Sequence, residues 1–214
     1  MKVSKSHDLT KVRHGSKLEV MKNLTYSILK LPNSVFTTRE IALILGETNP
    51  DIVKSKINYY VKRGELFALR RGIYSKGEKI NEFELATKLY TPAYVSFHTI
   101  LAKHGIVFQY DSRVHTASYL SRELEVSAKS LGAPVKIYYR KITLEILHNP
   151  TGIIYESHYP EATLERAFLD TIYIEGKRHF DNLYPIDFEK CEDMLPIYKG
   201  VITKKDLKSY ANYN

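Results

Sequence analysis

Residues 35–75 read VFTTREIALILGETNPDIVKSKINYYVKRGELFALRRGIYS, and this stretch decides the fold of the N-terminal third of the chain. Thr37 and Glu40 have the spacing of a capping box, which marks the first turn of a helix, and Phe36 stands where a hydrophobic staple would pack. Gly46 follows the apolar residues of this segment. We therefore predict a short helix that ends at this glycine.

The remainder of the stretch predicts another helix and a hairpin. Asp51 is positioned to cap a helix that runs to Arg63. Residues 66–75 then form two apolar runs on either side of the basic turn Arg70-Arg71-Gly72, a pattern typical of a β-hairpin.

Upstream of the capping box, residues 16–31 carry apolar side chains at helical spacing and are followed by Pro32, which predicts one more helix. Residues 1–15 have no clear period and are expected to form a mobile arm. A helix, a short capped helix, a turn, a third helix and a hairpin make up the order of a winged helix-turn-helix. We predict this domain over residues 16–79.

Charge is distributed unevenly over the 214 residues, whose formal net charge is +8. Residues 1–79 hold 16 lysines and arginines against 7 aspartates and glutamates, whereas residues 80–214 hold 16 against 17. The positive excess therefore belongs to the predicted winged helix. A basic domain joined to a neutral one indicates a polyanionic partner for the basic domain, and double-stranded DNA is the partner that we expect.

The third predicted helix has two contrasting faces. At 100° per residue, Val53, Ile57, Tyr60 and Val61 share one side, which is expected to pack on the first two helices. The opposite side is polar, basic and aromatic, and it is suited to base edges in a major groove. A solvated helix face is the alternative interpretation of this side.

The basic turn of the hairpin is better suited to phosphate or to the minor groove than to reading sequence. The residues that we predict to contact DNA are Thr38, Arg39, Ile52, Lys54, Ser55, Lys56, Asn58, Tyr59, Lys62, Arg63, Arg70 and Arg71.

Residues 80–214 are predicted to form a second domain of mixed α/β structure, which makes the whole chain an α+β protein. The clearest strand is expected over residues 135–139, which are rich in β-branched and aromatic side chains, and a shorter strand is expected at Val107-Phe108. Helices are expected from Pro160 to about Ile174, over residues 187–195 and over residues 203–210.

Composition argues against a membrane protein and a secreted one. The longest apolar run, Ile41–Leu45, is far shorter than the roughly 20 residues of a membrane-spanning helix. No apolar stretch follows the basic N-terminus, so a secretory signal is not expected. The single cysteine, Cys191, forms no internal disulfide and points to a reducing compartment. We expect a cytoplasmic protein.

The sequence shows no signature of catalysis. It contains no phosphate-binding loop, no dinucleotide fingerprint and no nucleophile elbow. Its eight histidines form no HExxH motif and no i, i+4 pair with one another, and His98 and His104 fall on different faces of a predicted helix. We therefore predict a protein that is not an enzyme, with no catalytic site, no metal and no cofactor.

The segment ATLERAFLD, residues 162–170, is the most distinctive part of the second block. On a helix, Leu164 and Phe168 lie on one stripe, whereas Arg166 and Asp170 lie on the opposite side. From spacing alone we predict that this arginine and aspartate form a surface ion pair, worth a few tenths of a kcal/mol.

Four segments in this order resemble the AbiEi-type antitoxins, which are transcriptional regulators of type IV toxin–antitoxin systems. These segments are residues 36–41 (FTTREI), 64–74 (GELFALRRGIY), 92–105 (PAYVSFHTILAKHG) and 162–170. The resemblance spans roughly residues 35–185. Residues 1–15 and 186–214 carry no signature of the family.

The resemblance implies a repressor that binds inverted repeats in its own operon. It also implies that the second domain, residues 80–214, antagonises a cognate nucleotidyltransferase-like toxin, with or without binding it stably. The residues that match the family's C-terminal motif are Thr163, Glu165, Arg166 and Asp170.

Two other functions stay open. A winged-helix regulator whose second domain binds a small molecule would have an apolar pocket with convergent polar groups. A nucleic-acid-processing enzyme, with the basic domain used for targeting, would have clustered carboxylates and a divalent metal.

Overall fold

The computed structural model describes residues 25–155 and 158–211. The expected arm, residues 1–15, and the first part of the first predicted helix lie outside the described residues. The described chain is an α+β protein, as predicted, and it contains two sheets. One sheet is small and belongs to residues 35–75, and the other is larger and belongs to residues 93–162.

The small sheet is antiparallel and has the strand order β1-β3-β2. Residues 25–30 are helical and are called α1. The elements that follow are β1 (Val35–Thr37), α2 (Thr38–Leu45), α3 (Pro50–Lys62), β2 (Phe67–Arg70) and β3 (Ile73–Ser75).

The capping box of α2 is confirmed. The Thr37 hydroxyl accepts a hydrogen bond from the Glu40 backbone N–H, and the Glu40 carboxylate accepts one from the Thr37 N–H. Gly46 ends the helix with φ +61°, in the left-handed region where a glycine has no steric penalty.

The predicted cap of α3 is wrong. Asn49, not Asp51, caps this helix, because its side-chain oxygen accepts hydrogen bonds from the backbone N–H groups of Asp51 and Ile52 at 3.0 and 3.4 Å. Pro50 occupies the first helical position, where its fixed φ is favourable and no N–H is needed. Asp51 lies in the first turn instead, where a carboxylate favours the helix dipole.

The large sheet is mixed, with the strand order β6-β7-β5-β4-β9-β8, and its parallel pairs are β5 with β7 and β4 with β9. Its strands are β4 (Ala93–Val95), β5 (Val114–Ser118), β6 (Arg122–Val126), β7 (Val135–Lys141), β8 (Ile153–Ile154) and β9 (Glu161–Ala162). The helices are α4 (Glu82–Leu89), α5 (Phe97–Lys103), α6 (Leu144–His148), α7 (Leu164–Glu175), α8 (Phe188–Met194) and α9 (Lys204–Ala211), with a 3₁₀ turn at Leu195–Tyr198.

Two predicted elements of this block differ from the structure. Val107-Phe108 is not a strand but part of the loop between α5 and β5, with Phe108 exposed. The helix predicted from Pro160 begins at Leu164, because Glu161 and Ala162 pair with strands on both sides and the Thr163 side chain caps the helix.

Two apolar clusters form the core. The smaller cluster contains Ile28, Phe36, Ile41, Val53, Ile57, Tyr60 and Leu66, and it lies between the first three helices and the small sheet. The larger cluster surrounds the large sheet and α7, and it also contains Val35, Leu69 and Ile73 of the small sheet. The small sheet therefore buries apolar side chains against the part of the chain that follows residue 80.

The buried carboxylate of Glu84 on α4 forms hydrogen bonds with the start of β1 and the residues before it. Glu84 is 2% exposed and accepts hydrogen bonds from the backbone N–H and the hydroxyl of Ser34, both at 2.7 Å, from the Val35 N–H and from the Asn33 side chain. Lys88 Nζ lies 3.0 Å from the same carboxylate. Burial raises the pKa of Glu84, but the hydrogen bonds from Ser34 together with the charge and hydrogen bond of Lys88 outweigh it, and the pKa lies below its ordinary value.

Among the described residues, no helix is long and apolar enough to cross a membrane.

Candidate functional site

The two faces of α3 are arranged as the helical period predicts. Val53, Ile57 and Tyr60 are at most 3% exposed and pack into the smaller cluster, and Val61 is half-buried at its edge. On the other side, Ile52 is 42% exposed and Tyr59 is 37% exposed. The remaining exposed residues of the helix are Pro50, Asp51, Lys54, Ser55, Asn58 and Lys62.

Two of the predicted cationic DNA contacts in and after α3 form ion pairs within the protein. Lys56 is half-buried and its Nζ lies 3.2 Å from the Glu47 carboxylate, in the turn between α2 and α3. Arg63 is paired with Glu65 and donates a hydrogen bond to the Tyr59 hydroxyl at 2.9 Å. Lys56 therefore stabilises the turn between α2 and α3. The exposed cations of α3 that have no carboxylate partner among the described residues are Lys54 and Lys62.

The start of α2 lies against the turn of the hairpin formed by β2 and β3. Thr38 donates to the Gly72 carbonyl through its backbone N–H at 2.9 Å and through its hydroxyl at 3.3 Å. Thr38 is half-buried, and both its hydroxyl and its backbone N–H are engaged in this contact. Arg39, Arg70 and Arg71 are exposed around this contact.

These three arginines, each one or two residues from Thr38 or Gly72 in sequence, are what we call the basic cluster. In the described ranges 25–155 and 158–211, no carboxylate forms an ion pair with any of them, nor with Lys54 or Lys62. Their charge is therefore not neutralised by a carboxylate of the described chain, and a guanidinium fork fits phosphate as well as carboxylate groups.

The second predicted site proves to be a buried network. Arg166 and Asp170 are both 0% exposed, and Arg166 Nε donates to the Asp170 carboxylate at 3.1 Å. The guanidinium also donates to the backbone carbonyls of Thr151 and Ile146, both at 2.7 Å, and to the Tyr94 hydroxyl at 2.9 Å. Every side of the arginine fork is therefore used.

Asp170 is equally well satisfied. Its carboxylate accepts hydrogen bonds from the hydroxyls of Tyr94 and Ser96 at 2.9 Å and from Tyr198 at 2.8 Å. Burial together with the charge of Asp170 raises the pKa of both tyrosines well above their ordinary value, so they stay neutral donors.

The prediction of a surface ion pair is therefore wrong. The helix α7 is central in the fold, because β4 brings Tyr94 to its polar side, α6 and the segment after it bring the carbonyls of Ile146 and Thr151, and the 3₁₀ turn brings Tyr198. Its apolar stripe, including Leu164 and Phe168, is buried as well. An amphipathic pattern does not imply an exposed polar face when partners from other elements can satisfy it.

The other two residues of the motif have local roles. The Thr163 side chain accepts a hydrogen bond from the Arg166 backbone N–H at 3.3 Å and caps α7. Glu165 is 8% exposed, in the first turn of the helix. The partners Tyr94, Ser96 and Tyr198 were not predicted as site residues, and only their proximity in the fold identifies them.

The structure brings together one group that sequence spacing did not. One ligand atom from each of His98, Asp111 and His115 lies within 4.8 Å of the others. Asp111 and His115 have i, i+4 spacing, but His98 lies 13 and 17 residues before them on α5, so a search for histidines at i, i+4 misses the group.

A groove of about 620 Å³ lies where α2 and α4 meet β4 and residues 147–155 and 158–160. Its lining includes Arg39, Lys88, Tyr94, His148 and Tyr155. This volume falls within the range of roughly 300–1,000 Å³ that is usual for small-molecule sites.

No protein-family model matches the chain, and no curated protein matches it. Among solved structures, the chain is similar to the RV2827C protein from Mycobacterium tuberculosis. The identity is 10% and the TM-score is 0.42, over 91% of this chain and 71% of that chain. A likeness of this level carries no argument about function.

Proposed function

We propose that this protein is a repressor that binds double-stranded DNA through an N-terminal winged helix-turn-helix and acts as the antitoxin of an AbiEi-type toxin–antitoxin operon. The observation that carries the DNA-binding part is the exposed face of α3, with the basic cluster of Arg39, Arg70 and Arg71 free of carboxylate partners in the described chain. The positive excess of residues 1–79 supports the same conclusion.

In this proposal α3 enters the major groove and the hairpin is the wing. Ile52 and Ser55 lie in the first half of the helix, where side chains of recognition helices reach base edges, and Ile52 suits a thymine methyl. Arg70 and Arg71 hold phosphates or the minor groove and therefore add affinity without sequence preference.

The DNA-binding part is tested with full-length protein on a duplex from upstream of its own gene and on a scrambled duplex. We expect Ile52→Ala and Ser55→Ala to weaken binding to the first duplex, by about 1–3 kcal/mol for a base contact, and to leave binding to the second unchanged. Arg70→Ala with Arg71→Ala should weaken both equally. The matched control is Lys129→Ala with Lys136→Ala, which removes two exposed lysines far along the chain.

The opposite result is that the α3 variants weaken binding to both duplexes equally and the hairpin variants weaken binding only to the first. That result would mean that the hairpin reads the sequence. Identical affinity of the wild-type protein for both duplexes would contradict a sequence-specific repressor.

The antitoxin part rests on the resemblance to the AbiEi family. Two of the segments that carry it contact each other, because Tyr94 and Ser96 of the segment 92–105 hydrogen-bond Asp170 of the segment 162–170. Since Arg166 and Asp170 are buried, their proposed role is to hold the second domain in shape rather than to touch the toxin.

Co-expression with the product of the neighbouring gene tests this part. A variant with Arg39, Arg70 and Arg71 changed to alanine should lose repression of a reporter and still rescue cells from that toxin. Failure of the wild-type protein to rescue would remove the antitoxin role and leave the DNA-binding role standing.

A ligand-responsive regulator is the second candidate, and the groove of about 620 Å³ favours it. Arg39 belongs both to the basic cluster and to this groove, so an occupant would compete with DNA for its guanidinium. A small molecule that raises the melting temperature of the wild-type protein and lowers its DNA affinity would favour this function, provided that toxin rescue fails.

A further inference from the structure

Three consecutive parts of the fold converge on one polar cluster. His98 belongs to α5, Asp111 to the loop that follows it, and His115 to β5. One ligand atom of each lies within 4.8 Å of the others, and the two imidazole centroids are 5.3 Å apart. His115 is 5% exposed, whereas His98 and Asp111 are half-buried, so the cluster has a buried floor and an open side.

Hydrogen bonds define which nitrogen of each imidazole an ion could use. His98 Nε2 lies 2.8 Å from the Gln109 carbonyl and His115 Nε2 lies 2.8 Å from the Asp111 carboxylate. The Gln109 carbonyl accepts the Nε2 proton of a neutral His98, so His98 Nδ1 keeps a lone pair. An ion shared by His115 and Asp111 would replace the proton between His115 Nε2 and the carboxylate, and that proton would move to His115 Nδ1.

Two imidazoles and one carboxylate are the ligands of many sites for Zn²⁺ and for first-row transition metals of similar size. We propose that His98, Asp111 and His115 bind a divalent transition-metal ion of this class. The proposal is independent of DNA binding and of the toxin.

Arg113 is the competing cation at this site. Its guanidinium lies 2.7 Å from one Asp111 oxygen and 3.0 Å from the other, and it also reaches Glu123 at 3.4 Å. A metal ion at Asp111 must displace part of this contact. Arg113 is one-third exposed and Glu123 more than half, so the guanidinium has an alternative partner at the surface.

Titration of the full-length, tag-free protein with Co²⁺, followed by visible absorption, and with Zn²⁺ in competition tests the proposal. We expect one Co²⁺ per chain, displaced by Zn²⁺. His98→Ala and Asp111→Asn should each weaken binding by at least about tenfold. Arg113→Met should strengthen it by several-fold, because the competing cation is gone, whereas a merely structural cluster would not gain affinity from this change.

His104→Ala is the matched control, since His104 is exposed at the end of α5 and outside the cluster. His98 and Asp111 are chosen over the buried His115 so that the variants keep the fold, which thermal melts of the metal-free proteins check. The proposal is overturned if Co²⁺ does not bind, or if binding survives His98→Ala and Asp111→Asn unchanged.

Discussion

Arg166 and Asp170 lie four residues apart on α7, and neither has any exposed surface. The charge of each is balanced inside the protein by the other, and the remaining donors and acceptors are satisfied by tyrosine and serine hydroxyls and by backbone carbonyls. Such a network adds little to the free energy of unfolding compared with well-packed apolar side chains. Removing one partner, however, leaves the other charge buried and uncompensated.

We therefore expect Arg166→Ala and Asp170→Ala each to lower the free energy of unfolding by about 3–5 kcal/mol, measured by urea denaturation. Lys190→Ala is the control, because its i, i+3 pair with Asp187 is exposed on both sides, and no change in the urea midpoint is expected. If Arg166→Ala lowered the free energy of unfolding as little as the control does, the result would show that the Arg166 guanidinium is hydrated in solution.

Gly152 offers a second test of how tightly Arg166 is enclosed. A Cβ at this position would lie 2.9 Å from the Arg166 Cβ and 3.1 Å from the Met194 Cε, and its φ is +75°. Gly105 has a similar φ of +69° but open space around the missing Cβ.

Both Gly152→Ala and Gly105→Ala incur the cost of a left-handed backbone, about 1–2 kcal/mol. We expect Gly152→Ala to lower the melting temperature further, because the close contact is added. Equal melting temperatures for the two variants would mean that the segment around Gly152 shifts freely, contrary to the hydrogen bond between the Thr151 carbonyl and Arg166.

The network around Arg166 and Asp170 was only partly predictable, because its other members are far from these two residues along the chain. The sequence identifies the segment 162–170 as unusual, and helical spacing pairs Arg166 with Asp170. Nothing local indicates burial, because Tyr94 is 76 residues from Asp170 and Tyr198 is 28 residues from it. A polar helical face is exposed only if no other element supplies its partners, and that is a tertiary property.

Helix ends were predictable where the chemistry is local. The capping box of α2 and the buried face of α3 follow from neighbouring residues and are confirmed. The cap of α3 was misplaced by two residues because two good capping residues, Asn49 and Asp51, flank a proline. Strand β6 was not predicted, because Arg122–Val126 presents mostly polar side chains at an edge of the large sheet.

The helix α4 links the two sheets through Glu84, whose carboxylate accepts hydrogen bonds from residues 33 to 35. We expect Glu84→Gln to lower the free energy of unfolding at pH 7 by about 1–3 kcal/mol, since it leaves buried donors poorly satisfied. Glu82→Gln is the control on the same helix, at an exposed position.

The effect of Glu84→Gln should also depend on pH. Because the pKa of Glu84 is lowered in the folded protein, its ionised form stabilises the fold above the ordinary value of 4.5, and this contribution is lost as the pH falls through the lowered pKa. The difference in urea midpoint between wild type and variant should therefore shrink in acid. A difference that stays constant from pH 7 to pH 3 would contradict a buried, ionised Glu84.

The whole molecule combines a basic first third with a neutral remainder, and the two share apolar surface. Val35, Leu69 and Ile73 of the small sheet are buried in the larger cluster. The division of charge could be predicted from the composition of the two parts. The shared core could not, because it depends on contacts between residues far apart in sequence. The predicted boundary near residue 79 stays a prediction, and experiments on DNA binding belong with the full-length chain.

Salt dependence of binding by the full-length protein measures the role of the basic cluster most directly. Fluorescence anisotropy would follow a duplex from upstream of the gene and a scrambled duplex across a range of salt concentrations. If about five phosphates are contacted, the logarithm of the association constant should fall against the logarithm of salt concentration with a slope near −4 to −5. The triple variant Arg39→Ala, Arg70→Ala, Arg71→Ala should reduce the steepness of that slope by about 3. We predict a steep slope on both duplexes and tighter binding to the first. A flat slope for the wild-type protein that the triple variant leaves unchanged would contradict a DNA-binding role for this surface.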